Sequence, residues 1–174
     1  MKNLSELARK YSSDKSDHNY MPYYEKHLPK DCRSLLEIGV KEGASMRMWR
    51  EFFPNTELWG MDLFIEFPEP TDIDANWIKG NQCDHEILYN IRHHVQPQVI
   101  LDDGSHNVPD QLVSFFSLAG CCELYIIEDL HTSNDPFYRQ GLPFELTPLG
   151  MMKSGKFPLP FDLYDDKIAF IKTK

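Results

Sequence analysis

Ser34-Leu35-Leu36-Glu37-Ile38-Gly39-Val40-Lys41-Glu42-Gly43 reads as a short apolar strand that ends on a carboxylate and then turns through two glycines. Ala44 to Phe53 follows with apolar residues at helical spacing, and Pro54 stops that helix because it cannot continue the backbone hydrogen bonds. Strand, glycine turn and helix make one βα unit. The same pattern recurs downstream in short apolar runs at Leu58–Leu63, Trp77–Ile78, Val99–Leu101 and Leu124–Ile127, each suited to a strand buried on both faces. Helical patterns over His85–Val95 and Pro109–Ala119 separate the later runs, the second with Leu112, Phe115, Phe116 and Ala119 on one side. Alternation of this kind predicts a parallel sheet.

Outside this repeat, Leu4 to Tyr11 predicts a polar helix, Ser12 to His18 a loop, and the stretch with Tyr20, Tyr23 and Tyr24 a short aromatic helix. At the other end Phe161–Tyr164 and Lys167–Ile171 read as two strands joined by a tight turn at Asp165-Asp166. The expected architecture is α/β, a Rossmann-like open and mostly parallel sheet with an antiparallel C-terminal hairpin and helices on both faces. Residues 1–30 form a short helical cover and 31–174 the core of one domain. Asp135 to Pro160, rich in Pro and Gly, reads as a mobile loop over the site.

The formal charge of −9 argues against a nucleic-acid partner, whose binding depends on Lys and Arg releasing counterions, and favours a neutral or cationic substrate. No run approaches the roughly 20 apolar residues needed to span a bilayer, and the start shows no signal-peptide pattern, so no membrane role is expected. Cys32, Cys83, Cys121 and Cys122 form no CxxC pair, which suits a reducing, cytoplasmic setting. The composition leaves a homo-oligomer open.

In an open parallel sheet ligands bind beyond the carboxyl ends of the strands. Those ends here are Glu37 with Gly39 and Gly43, then Asp62, then Gln82 and Asp84, then Asp102-Asp103, then Glu128-Asp129. Any one of these carboxylates could simply cap the next helix. Their recurrence at successive strands favours a ligand. The dinucleotide fingerprint fails because Lys41 stands at its second glycine, and Gly155-Lys156-Phe157 lacks the Ser or Thr of a phosphate-binding loop. What remains resembles the first motif of class I S-adenosylmethionine-dependent methyltransferases, with an acidic residue two before a glycine and a second glycine four later. The resemblance implies that Glu37 faces the cationic methionine end of the cofactor, that the Gly39 to Gly43 backbone lies under it, that Asp62 takes the ribose hydroxyls, and that Gln82 and Asp84 border the adenine.

Asp102-Asp103-Gly104-Ser105-His106 and Glu128-Asp129-Leu130 would crowd carboxylates on one edge, a costly arrangement unless a cation offsets them. Oxygen donors suit Mg²⁺ first and Mn²⁺ also, whereas Zn²⁺ would call for Cys or more His. These motifs, with Asp14-Lys15 and His18-x-Tyr20, are similar to those of the metal-dependent macrolide sugar O-methyltransferases, the mycinamicin and macrocin O-methyltransferase group. That resemblance implies Asp103, Glu128 and Asp129 as metal ligands and His106 as the motif histidine. His106 is then placed to take the proton of an acceptor hydroxyl. Asp102, pointing opposite to Asp103, is left to orient a ligand or touch the cofactor. Tyr20 and Tyr24 either close over the cofactor or pack.

The expected function is an S-adenosylmethionine- and Mg²⁺-dependent O-methyltransferase on a small-molecule hydroxyl, of a sugar or a glycosylated metabolite, with S-adenosylhomocysteine as product. The alternatives are a catechol-type enzyme for an aromatic diol and a cofactor-binding protein without turnover.

Overall fold

The computed structural model describes residues 3–63 and 72–174. Its strands are β1 (Ser34–Ile38), β2 (Glu57–Asp62), β3 (Asn76–Lys79), β4 (Val99–Asp102), β5 (Leu124–Ile127), β6 (Phe161–Tyr164) and β7 (Ile168–Lys172). They form one sheet in the order β3-β2-β1-β4-β5-β7-β6. The first five run parallel, while β7 pairs antiparallel with both β5 and β6. The mostly parallel sheet with an antiparallel hairpin is as the sequence predicts.

Successive residues of a strand point to opposite faces, and the strand sequences fill both. Leu35, Val99, Leu101, Ile126, Ile168 and Phe170 enter one core cluster. Their neighbours Leu36, Ile100, Tyr125, Ile127, Ala169 and Ile171 enter the other. Continuous apolar runs, with no polar alternation, are what a sheet covered on two sides requires.

Helices α1 (Leu4–Lys10), α2 (Met21–His27) and α3 (Ala44–Phe52) cover the first face through Leu4, Tyr24, Met46 and Trp49. On the second face lie α4 (His85–Asn90), followed by a π-helical turn at Ile91–Val95, and α5 (Val108–Leu118). The buried stripe of α5 is Val108, Gln111, Ser114, Phe115 and Leu118. It is rotated from the expected apolar stripe, leaving Phe116 at 61% exposure. Gln111 and Ser114 turn inward because each has a buried acceptor: the Glu128 carbonyl at 3.2 Å and the Asp102 carboxylate at 2.5 Å.

The predicted turn at Asp165-Asp166 is present, with φ of 52° and 57°, and the Lys167 N–H closes it onto the Tyr164 carbonyl at 2.9 Å. The reading of 135–160 as a loop is corrected. This stretch folds into α6 (Pro136–Arg139), a 3₁₀ turn at Phe144–Leu146 and α7 (Pro148–Lys153). Thr147 caps α7 by accepting the Gly150 N–H at 3.0 Å, and Pro148 opens it. Glycines and prolines here mark the ends of short helices, which is why their density misleads. Among the described residues no helix is long and apolar enough to cross a membrane.

Leu149 is fully buried and Met152 nearly so. Leu149→Ala is therefore expected to cost about 2–5 kcal/mol in urea unfolding, the usual range for a core cavity. A mobile loop would lose nothing measurable.

Candidate active site

Strand register builds the site. Ile38 pairs with Met61 on one side and Asp102 on the other, and Asp102 pairs with Ile127. One step further along each strand, Gly39, Asp62, Asp103 and Glu128 stand in a single row across the C-terminal edge of the sheet. Backbone bonds continue the row: Gly39 N–H donates to the Met61 carbonyl at 2.8 Å, Asp103 N–H to Ile38 at 2.9 Å and Glu128 N–H to Asp102 at 3.0 Å. The strand order reverses direction between β1 and β4, where open α/β sheets leave their ligand crevice.

Two cavities open there and share Gly39, Asp62 and Gly104. One of about 410 Å³ is lined further by Met61, Leu63, Asn81 and Gln82. The other, of about 460 Å³, reaches Ser12, Asp14, Lys41, Asp103 and His106. Both sizes suit a small ligand. Gly39 is required at the shared wall: its φ is +87°, and a Cβ would lie 2.0 Å from the Asp103 carbonyl oxygen.

The residues expected at the cofactor separate into two groups. Asp62 lines both cavities and accepts the Lys41 backbone N–H at 2.8 Å. Gln82 lines the first, pinning the Ser105 N–H at 2.8 Å. Gly43, with φ of 78°, bends the chain into α3 between Glu42 and Ala44, which line the second. Glu37, Asp84 and Asp102 line neither. Glu37 is fully buried, accepting from Ser45 Oγ at 2.8 Å and Trp49 Nε1 at 3.2 Å. Asp84 is exposed and caps α4 through the Glu86 and Ile87 N–H groups at 2.9 and 3.3 Å. Asp102 turns toward α5 and accepts from Ser114 Oγ at 2.5 Å and Tyr125 Oη at 3.0 Å.

The acidic residues meet as expected, but with a partner that the motif reading did not assign. Lys15 is 1% exposed. Its Nζ bonds to Asp103 Oδ2 and lies 3.2 Å from both Glu37 Oε1 and Glu128 Oε1. Burial alone would lower the Lys15 ammonium, yet the Asp103, Glu128 and Glu37 carboxylates outweigh it and hold it well above its ordinary value. One ammonium cannot offset three carboxylates, so burial still pushes Glu37 and Glu128 upward. Tyr24 and Tyr20, buried in the cover, donate to Glu128 Oε1 and, at 2.8 Å, to Asp129 Oδ1. The only sign of these contacts in the sequence was the Asp14-Lys15 and His18-x-Tyr20 elements.

Among the described residues Asp103, His106 and Asp129 form a group whose ligating atoms all lie within 4.8 Å of one another. His106 Nδ1 is buried with no hydrogen-bond partner and stands 3.7 Å from Asp129 Oδ2. His106 and Asp129 also adopt left-handed backbone, φ 60° and 54°, which costs about 1–2 kcal/mol each in non-glycine residues. The Asp103 and Asp129 oxygens of this group suit a divalent ion, and the unpartnered His106 nitrogen close to them is open to a proton or to the same ion. Glu128 lies outside this group, its oxygens facing Lys15 and Tyr24.

No family model matches the chain. It is 34% identical over 171 residues to mycinamicin VI 2''-O-methyltransferase of Micromonospora griseorubida, which covers 87% of this chain and 42% of that protein. Demethylmacrocin O-methyltransferase of Streptomyces fradiae is 31% identical, covering 87% and 43%. Both relatives are O-methyltransferases. MycE methyltransferase from the mycinamycin biosynthetic pathway, solved in complex with Mg and SAH, superposes on 98% of this chain and 54% of that one, with a TM-score of 0.83 and 29% identity. The fold is thus that of class I S-adenosylmethionine-dependent methyltransferases. The chain spans less than half the length of these two curated homologues.

The inward-facing Asp102 makes a testable point about this edge. Burial pushes its carboxyl up to about 6 from 3.8, against the donors Ser114 and Tyr125. The folded state therefore binds more protons than the unfolded one between those values, and stability falls as pH rises through about 6. Asp102→Asn removes that loss, so its stability relative to the unsubstituted protein should improve from pH 5 to pH 8 by on the order of 1–2 kcal/mol. Urea unfolding at the two pH values checks this; a pH-independent difference refutes it.

Proposed function

We propose that this chain is an S-adenosylmethionine-dependent O-methyltransferase that requires Mg²⁺, replaceable by Mn²⁺, and acts on a hydroxyl of a sugar or glycosylated small molecule. The observation that carries the reading is the row Gly39, Asp62, Asp103 and Glu128, which sets a nucleoside-sized cavity beside an acidic cluster with an unpartnered imidazole. Among the relatives, MycE has been solved in complex with Mg, SAH and mycinamycin VI, and it matches this chain at a TM-score of 0.84.

S-adenosylmethionine supplies the methyl group, and its product would occupy the cavity lined by Asp62 and Gln82. Mg²⁺ supplies Lewis acidity toward the acceptor oxygen and would be held by Asp103 and Asp129, with Glu128 supporting the cluster from within. His106 lines the second cavity and receives the acceptor's proton. A nitrogen bound to a cation cannot also accept a proton, so His106 is assigned to the proton and the two aspartates to the ion. Among the described residues no Phe, Tyr or Trp lines either cavity, which favours a polar sugar over an aromatic diol. The four free cysteines accord with a cytoplasmic setting.

The test is methyl transfer from labelled S-adenosylmethionine to demethylated macrolide glycosides, simple rhamnosides and catechols, with Mg²⁺ or with chelator. Glycoside methylation that chelator abolishes is expected; metal-independent transfer, or preference for catechols, refutes the reading. His106→Ala should retain S-adenosylhomocysteine and Mn²⁺ affinity while turnover falls about 10²–10⁴-fold, the usual worth of a general base. Lost Mn²⁺ affinity would instead make His106 a ligand.

A further inference from the structure

We infer that Lys15 is the resident cation of the carboxylate cluster: its ammonium lets Glu37, Asp103 and Glu128 share one buried site, and the divalent ion is exchangeable and does not hold the fold together. The first part stands on geometry alone. The second rests on the metal reading above.

Lys15 lies on a 3₁₀ turn, Asp14–Ser16, flanked by left-handed residues Ser12 (φ 56°) and Asn19 (φ 57°). Those two bends fold the segment inward and deliver a lysine to the core, where an unpaired ammonium would be strongly unfavourable. Here it is fully paired. Its partners come from three strand ends: Glu37 from β1, Asp103 after β4 and Glu128 after β5. Glu37 serves as its far anchor, since the other oxygen of Glu37 is taken by Ser45 and Trp49. Lys15 thus neutralises part of the cluster with no metal, and removing it would leave buried carboxylates opposed only by hydroxyl and indole donors.

Asp103 is the shared member. It belongs both to the Lys15 contacts and to the group with His106 and Asp129. A fixed positive charge on a ligand carboxylate repels an incoming divalent ion and competes for its electrons. Lys15 is therefore a positioning residue that holds Asp103 in place while keeping the ion's affinity low enough for exchange.

The experiment compares Lys15→Met and Lys15→Arg with the unsubstituted protein in thermal unfolding, with chelator and with Mg²⁺, and in Mn²⁺ binding by electron paramagnetic resonance. In chelator, Lys15→Met should melt about 10 °C lower, while Lys15→Arg stays near the parent. Mg²⁺ should raise the melting temperature of Lys15→Met more than that of the parent, and Mn²⁺ should bind the variant about tenfold tighter. Should Lys15→Met fail to fold, Lys15→Met/Glu37→Gln, which removes one charge of each sign, must fold in Mg²⁺; failure of both variants overturns the inference. Mn²⁺ affinity in folded Lys15→Met that is unchanged or weaker also overturns it, as does unfolding of the parent by chelator. A parent that binds no Mn²⁺ sinks the metal reading instead, and the comparison in chelator still decides whether Lys15 is the resident cation.

Discussion

Carboxylates from β1, β4 and β5 converge on one edge of the sheet, and their mutual repulsion is the constraint that the neighbouring structure has to meet. In a partly dry cleft each carboxylate loses hydration and also feels the others, so the arrangement is stable only with positive charge or donated protons close by. The ammonium of Lys15 provides the charge, and the hydroxyls of Tyr20 and Tyr24 provide the donors. All three come from the segment before β1. That segment is thus more than a cover: it forms one wall of the acidic cluster.

The parallel register explains why the site lies where it does. Neighbouring strands in register bring residues of the same rank to the same edge, so a chain that ends each strand with a polar residue assembles a polar rim without long-range design of each contact. Strands of four to six residues, mostly apolar, fill both faces beneath the rim. Where α5 passes under the site, its buried stripe admits Gln111 and Ser114, because each donates to an acceptor at the strand ends. Packing and chemistry meet at these two residues.

The homologues supply context that the geometry accepts. A methyltransferase fold with an acidic cluster beside its cofactor crevice can orient an acceptor oxygen and take its proton within one cleft. The left-handed backbone at His106 and Asp129 indicates that the chain tolerates local strain to aim these two side chains at each other.

Much of this was legible in the amino-acid sequence. Apolar periodicity located the strands and most of the helices, and the carboxylates and glycines that follow the strands marked the sheet edge on which the candidate site lies, because both are local patterns that survive without coordinates. What only the tertiary structure decided were the pairings. Whether Glu37, Asp84 and Asp102 face a cavity, a helix end or the core depends on side-chain direction and on neighbours distant in the chain. The contact of Lys15 with Asp103 spans 88 positions, and no periodicity encodes a bond of that separation. The helices of 135–160 were hidden for the opposite reason: at four and six residues they are too short to show a helical period, and burial of Leu149 and Met152 in the core steadies α7.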